Sequence, residues 1–218
     1  MNRKQQLIFA IFNVLVALGI VLMYRLSVPY LAIKPGVDFL QTKNSVYHVL
    51  HWRWSFYIHV FTSIFVLIAG LLQFNSFVLH KFRKLHRTSG YVYLTIVLLV
   101  SGPAGLVMGF YANGGIPARI SFVLLACLWL FTTALAFKRA LQRRFIDHGA
   151  WMARSYSLAL SALTLRAYAL LIGVLNLELR PSTAYVIIAW LSWVINLLVA
   201  EIWIRNGGIK RLMTSYRQ

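Results

Sequence analysis

The 218-residue chain is 60% hydrophobic and only 12% charged, with a mean hydropathy of +0.72. Soluble domains carry about 45–50% apolar and about 25% charged residues, and disordered chains are less apolar still, so both classes are excluded. The remaining class is an integral membrane protein, a single all-α domain over residues 1–218 whose apolar side chains face lipid.

Six apolar segments are each near the roughly 20 residues a helix needs to cross a bilayer. They run over Leu7–Tyr24, Trp54–Leu79, Tyr91–Ala112, Ile120–Phe137, Ala150–Leu175 and Thr183–Ile204. A helix suits them because it satisfies every backbone group within the segment. The first follows Arg3 and Lys4 like a secretion signal, but Tyr24-Arg25-Leu26-Ser27 lacks a small-x-small cleavage pattern, so it reads as an uncleaved anchor. The connection Arg25–Arg53 is the one long outer segment; Pro29 and Pro35-Gly36 break its first half, and Ser45–Arg53 reads as a short interfacial helix. Gly102-Pro103 predicts a kink in the third helix. Trp52, Trp54 and Tyr57 at one edge, and Trp151 and Trp203 at the other, read as interfacial belts.

The net charge of +18 comes from 22 Lys and Arg against four Asp and Glu. In a soluble protein it would suggest nucleic acid. Here the basic residues lie in short stretches between apolar runs, so no nucleic-acid partner is expected and the bilayer is the partner. Fourteen of them fall at the N-terminus, in the second-to-third and fourth-to-fifth loops and in the tail, against six in the other connections. Positive loops stay in the cytoplasm, so both termini are expected inside, N-in and C-in. The lone Cys127 lies in an apolar run and offers neither a disulfide nor a cysteine metal site.

Polar groups at membrane depth are costly and therefore informative. His59, Thr62, Ser63, Gly70 and Gln73 share one face of the second helix at 100° per residue. His86, Gly90 and Tyr93 align on the third, and His148, Ser155, Ala162 and Arg166 on the fifth. At 1.5 Å per residue, His59 and Arg166 fall in the outer leaflet; His80, His86, His148, Arg154 and Glu201 fall in the inner one. Arg154 and Glu201 sit at similar depth and are expected to pair. Arg166 has Glu178 as its nearest candidate partner; otherwise it snorkels outward or meets an anionic ligand.

His48 and His51, spaced i,i+3, and then His59 could form an outer metal site, or could be interfacial side chains among aromatics. His86 and His148 each stand in the first turn of a membrane helix, where the positive dipole end keeps the imidazole neutral and available as a ligand. The alternative for both is a hydrogen bond to a loop carbonyl. Asp147 is placed as N-cap of the fifth helix. Phosphate-cradling GxxxxGK[ST], GxSxG, HExxH and paired carboxylates are missing from the chain.

Leu85-His86-Arg87-Thr88-Ser89-Gly90-Tyr91-Val92-Tyr93 and His148-Gly149-Ala150-Trp151-Met152-Ala153-Arg154-Ser155-Tyr156 carry the patterns HR-x-x-G-x-x-Y and H-x-x-WM-x-R-S-Y. In these strings the chain resembles a family of small bacterial multi-pass membrane proteins, domain of unknown function 2306, from about Phe56 to Arg166. The resemblance implies a multi-helix fold in a bacterial inner membrane. It implies no chemistry.

Three functions remain open. The leading one is a membrane redox protein, haem- or quinone-linked, in which His86 and His148 ligate a haem b and Arg87, Arg144 and Arg154 meet its propionates. The second is a transporter or receptor for a small anionic or amphipathic molecule, touched by Arg166, His59 and the Gln73 stripe. The third is an accessory protein in which the histidines only pack.

Overall fold

The computed structural model describes residues 3–214; Arg217, counted above among the tail charges, lies outside them. The described chain is all-helical, with no strands among the described residues. Six helical segments are long and apolar enough to span a membrane: Leu7–Ala32, Leu50–Gln73, Arg83–Phe110, Gly115–Leu141, Phe145–Val174 and Pro181–Arg205. They are called the first to sixth spans. Because successive spans reverse direction, the first, third and fifth run parallel, and Arg3 and Thr214, the first and last described residues, lie at one end with the basic residues from Lys81 to Arg87 and from Lys138 to Arg144. That end is called the basic end.

Helix limits differ from the hydropathy limits for local reasons. The second span stops at Gln73, because the Asn75 side chain accepts from the Phe77 and Val78 amides and starts a separate short helix, Ser76–Lys81. Phe74 on one side and Phe77, Val78 and Leu79 on the other keep the hydropathy high across that cap. The third span begins at Arg83, well ahead of Tyr91, since helical hydrogen bonding continues through a polar first turn that hydropathy does not register. The fifth is two helices, Phe145–Ala159 and Ser161–Val174, meeting at Leu160.

In the third span, Ile96–Ser101 is π-helical, followed by Gly102–Phe110. The expected kink at Gly102-Pro103 takes this form. A Cβ on Gly102 would stand 2.2 Å from the Val97 carbonyl oxygen, so only glycine fits there. Four-residue steps in an α-helix drift by about 40° each, and the wider π turn cancels part of that drift. Tyr93, Val97 and Ser101 consequently all point inward at 0% exposure.

The fourth span is central and packs on the third, fifth and sixth. Apart from Trp129, its inward face is small or polar, with Ala118, Ser121, Ala126, Thr132, Thr133 and Ala136 buried. Close approach and hydrogen bonds between helices replace the hydrophobic drive that lipid removes. Trp193 Nε1 donates to Ser121 Oγ at 2.9 Å, and Ser121 donates to the Ala189 carbonyl at 2.9 Å, locking the fourth span to the sixth. The first span is peripheral, touching the second and the fifth. Exposed Cys127 stands away from the core.

The segment before the second span folds as 3-10 turns, Val28–Ala32 and Asp38–Lys43, rather than an interfacial helix at Ser45–Arg53. It covers Trp52 and Tyr57, which are buried and not belt residues; Trp54 remains exposed. Lys43, 3% exposed, donates to the Tyr111 carbonyl and, at 2.6 Å, to Asn113 Oδ1. Burial, reinforced by the charge of Arg119, pushes its ammonium down to about 8.

Candidate functional site

The third and fifth spans both enter the membrane from the basic end, so residue offsets along them translate directly into depth. Tyr93 OH and Ser155 Oγ meet at 2.8 Å in the buried core. His86 precedes Tyr93 by seven residues, and His148 precedes Ser155 by seven. Seven residues are about two turns, or about 10 Å. The hydrogen bond therefore places the two histidines at one level near the basic end.

The short turn after the fourth span positions His148. Arg143 adopts φ 58°, and the Arg144 amide donates to the Arg139 carbonyl at 3.0 Å, closing a tight reversal. The His148 ring then meets the last turns of the fourth span, where Nδ1 lies 2.9 Å from the Ala136 carbonyl. A carbonyl only accepts, so Nδ1 carries the proton and Nε2 keeps a free lone pair. His86 is held from its backbone side: Gln73 Nε2 donates to the His86 carbonyl and to Ser89 Oγ, both at 2.7 Å. Gly90 leaves space for that carboxamide, 3.4 Å from where a Cβ would stand. The His86 Nδ1 atom is buried and has no hydrogen-bond partner.

The basic residues divide unevenly. Arg154 is committed to Glu201, Nε to Oε1 at 2.5 Å and Nη2 to Oε2 at 3.2 Å, with its guanidinium 4.5 Å over the Trp151 ring. That is the pairing their common depth predicts, and it removes Arg154 from any propionate role. Arg144 pairs with Asp147 at 2.6 Å, and Asp147 sits within the first turn rather than capping it; Arg144 itself is the N-cap residue. Arg83, Lys84 and Arg87 line an exposed groove at the same end. Arg139, one turn beyond Ala136, donates from Nη1 to Gln142 Oε1 at 3.0 Å and has a buried Nε without a partner. Sequence reasoning missed Arg139 because it sits in a basic run, where nothing distinguishes one arginine from the next.

The residues toward the opposite end do not join this cluster. His59 Nδ1 donates to the Ser101 carbonyl at 2.8 Å, beside Gly105 and edge-on to Trp129. His51 Nε2 bonds Tyr111 OH at 2.7 Å, and no group of three or more His, Cys, Asp or Glu able to hold a metal occurs among the described residues. The His48–His51–His59 metal site is therefore not assembled. Arg166 does not reach Glu178; its guanidinium donates to the Ala162 carbonyl at 2.9 Å, with Tyr30, Tyr185 and His59 as its charged or polar surroundings.

A cavity of about 460 Å³ opens elsewhere at the basic end, between the first, fifth and sixth spans and the helix Gly208–Thr214. Phe12, Leu160 and Asn196 lie along it, and Arg211 is among its lining residues; neither His86 nor His148 is.

The family described as predicted membrane protein (DUF2306) matches residues 56–204 of the chain. This stretch holds both histidines, Gln73, Tyr93, Ser155 and Glu201. No curated protein and no solved structure matches the chain.

Proposed function

We propose that this chain, which belongs to the DUF2306 family of predicted membrane proteins, is a membrane redox protein whose His86 and His148 hold a haem b iron. The observation that carries the reading is a buried, partnerless His86 Nδ1 on the third span, with a His148 ring at the same offset on the fifth whose Nδ1 is oriented by the Ala136 carbonyl. A ligating histidine typically donates its second nitrogen to a carbonyl or carboxylate in this way. Two imidazoles without a third His, Cys, Asp or Glu grouped with them among the described residues suit an iron whose remaining ligands come from a porphyrin, better than a bare tetrahedral ion. A haem bound there would supply one-electron exchange. The chain's own part is to hold both rings at one depth, to keep them neutral at helix N-termini, and to offer Arg139 and Arg87 to carboxylates on the basic side.

Absorbance of protein purified from haem-replete cells tests this. A Soret band is expected in the wild type, lost in His86→Ala and in His148→Ala and kept in His48→Ala and His51→Ala. A colourless wild type overturns the reading.

Arg166 supports a second reading, binding of a small anion, because no acid pairs with it among the described residues. A guanidinium at membrane depth ordinarily has a partner.

A further inference from the structure

The cavity at the basic end is made by a reversal of the chain after the sixth span. Gly207 adopts φ +75°, the left-handed conformation that ends a helix cheaply only in glycine. Gly208 then lies so close to Trp203 that a Cβ would stand 2.3 Å from the indole. The reversal lays Gly208–Thr214 back under the bundle, with Ile209 and Leu212 buried and Ile209 pressed against Gly149. The result is an apolar slot walled by Phe9 and Phe12 of the first span, Tyr156 and Leu160 of the fifth, and the sixth span from Asn196 to Trp203.

The slot reaches through about two thirds of one lipid leaflet. Its lining on the sixth span runs from Asn196 to Trp203, seven residues, or about 10 Å. Half of a hydrocarbon core about 30 Å thick is about 15 Å. The polar groups at its deep end are already committed to each other. Asn196 Nδ2 donates to the Ser157 carbonyl and to Thr164 Oγ1, both at 3.1 Å, and Thr164 donates to the Ser192 carbonyl at 2.7 Å. Ser157 donates to the Arg154 carbonyl at 2.7 Å, and Tyr156 to the Leu67 carbonyl at 3.0 Å. A buried quinone carbonyl would find no donor there, whereas a chain terminus needs none. At the interfacial end stands Arg211, with no ion pair to any acid among the described residues.

We infer that this slot is a binding site for one anionic phospholipid, its acyl chain between the first, fifth and sixth spans and its phosphate at Arg211. The volume of about 460 Å³ lies within the range of small-molecule sites, and one cation at the mouth complements one anionic headgroup. The inference is independent of the haem reading, since neither histidine lines the slot.

Native mass spectrometry of the full chain from bicelles of mixed phosphatidylglycerol and phosphatidylcholine tests it. One retained phosphatidylglycerol per chain is expected. Arg211→Gln should lower the preference for the anionic lipid about fivefold, the scale of one basic side chain at an anionic surface. Ala200→Phe, which fills the slot, should abolish retention, while Leu198→Phe on the exposed face should not. Should Ala200→Phe fail to fold, Arg211→Gln alone decides. Retention indifferent to headgroup charge and to Arg211→Gln overturns the inference, as does a retained isoprenoid quinone in place of phospholipid.

Discussion

Tyr93 OH hydrogen-bonds Ser155 Oγ at 2.8 Å, and through that contact two parallel spans share one register. Ser155 also meets Thr133 Oγ1 at 2.7 Å, and Trp129 Nε1 donates to Tyr93 OH at 3.4 Å. Three spans thus converge on one hydroxyl cluster. Ser155→Ala should destabilise by about 0.6–2 kcal/mol, the range for interhelical hydrogen bonds in membranes. Tyr93→Phe should cost a similar amount, and the double variant less than the sum, because both remove the same bond. Reversible unfolding in mixed detergent measures all three.

The charge distribution makes a topology prediction. Reporters fused after Lys84 or Arg144 should report the cytoplasm, and those after Gly115 or Pro181 the opposite side, because basic residues divide fourteen to six. A cytoplasmic signal at Gly115 would reverse the assignment.

Glu201 is the sole acid paired with Arg154 among the described residues, and the pair is only partly exposed, at 21% and 28%. Glu201→Gln should therefore cost about 1.5–3 kcal/mol, the scale of a charge-assisted hydrogen bond. Arg205, 3.8 Å from the same carboxylate and 82% exposed, should matter little: Arg205→Gln should leave the melting temperature nearly unchanged.

Arg166→Leu should insert at least as well as the wild type, since a central Arg opposes insertion by about 2.5–3.5 kcal/mol. A glycosylation-mapping insertion assay reads this directly. Loss of the folded protein would instead show that the bond to Ala162 and the neighbouring phenols form a structural network.

Lys43 gives a pH signature. Its folded ammonium titrates near 8 against an ordinary 10.5, so between those values the unfolded chain binds more protons at this site. Stability rises with pH wherever that holds. The melting temperature of the wild type relative to Lys43→Met should accordingly climb from pH 8 to pH 10 and be flat below.

Much of this architecture is legible in composition, because lipid leaves a chain few alternatives to apolar helices. Six spans, the Arg154–Glu201 pair and the facing stripes at His86–Tyr93 and His148–Ser155 follow from spacing and depth. Helix ends are less legible. Hydropathy follows apolar side chains, whereas Arg83–Gly90 continues the hydrogen-bond ladder through largely polar ones, and Asn75 interrupts the ladder where Phe74, Phe77, Val78 and Leu79 keep the hydropathy high. The burial of Trp52 and Tyr57 depends on 3-10 turns from a distant segment, which no local pattern announces. Nor does spacing show which cations are already spoken for: Arg154 and Arg144 are, and Arg139 Nε is not.

The π-helical stretch Ile96–Ser101 divides the third span into two independently phased halves. On the basic side, alignment is set by Tyr93 against Ser155; on the far side, by Ser101 and Gly105 against His59. Removing one residue between Ile96 and Ser101 would let this wide turn tighten to an ordinary α-helical turn and leave the two halves nearly in phase. His59 would keep Ser101 and Gly105 as neighbours, and Tyr93 would keep Ser155. The two faces of the membrane can therefore tolerate a one-residue change in the length between them, with one loosely wound turn absorbing the mismatch.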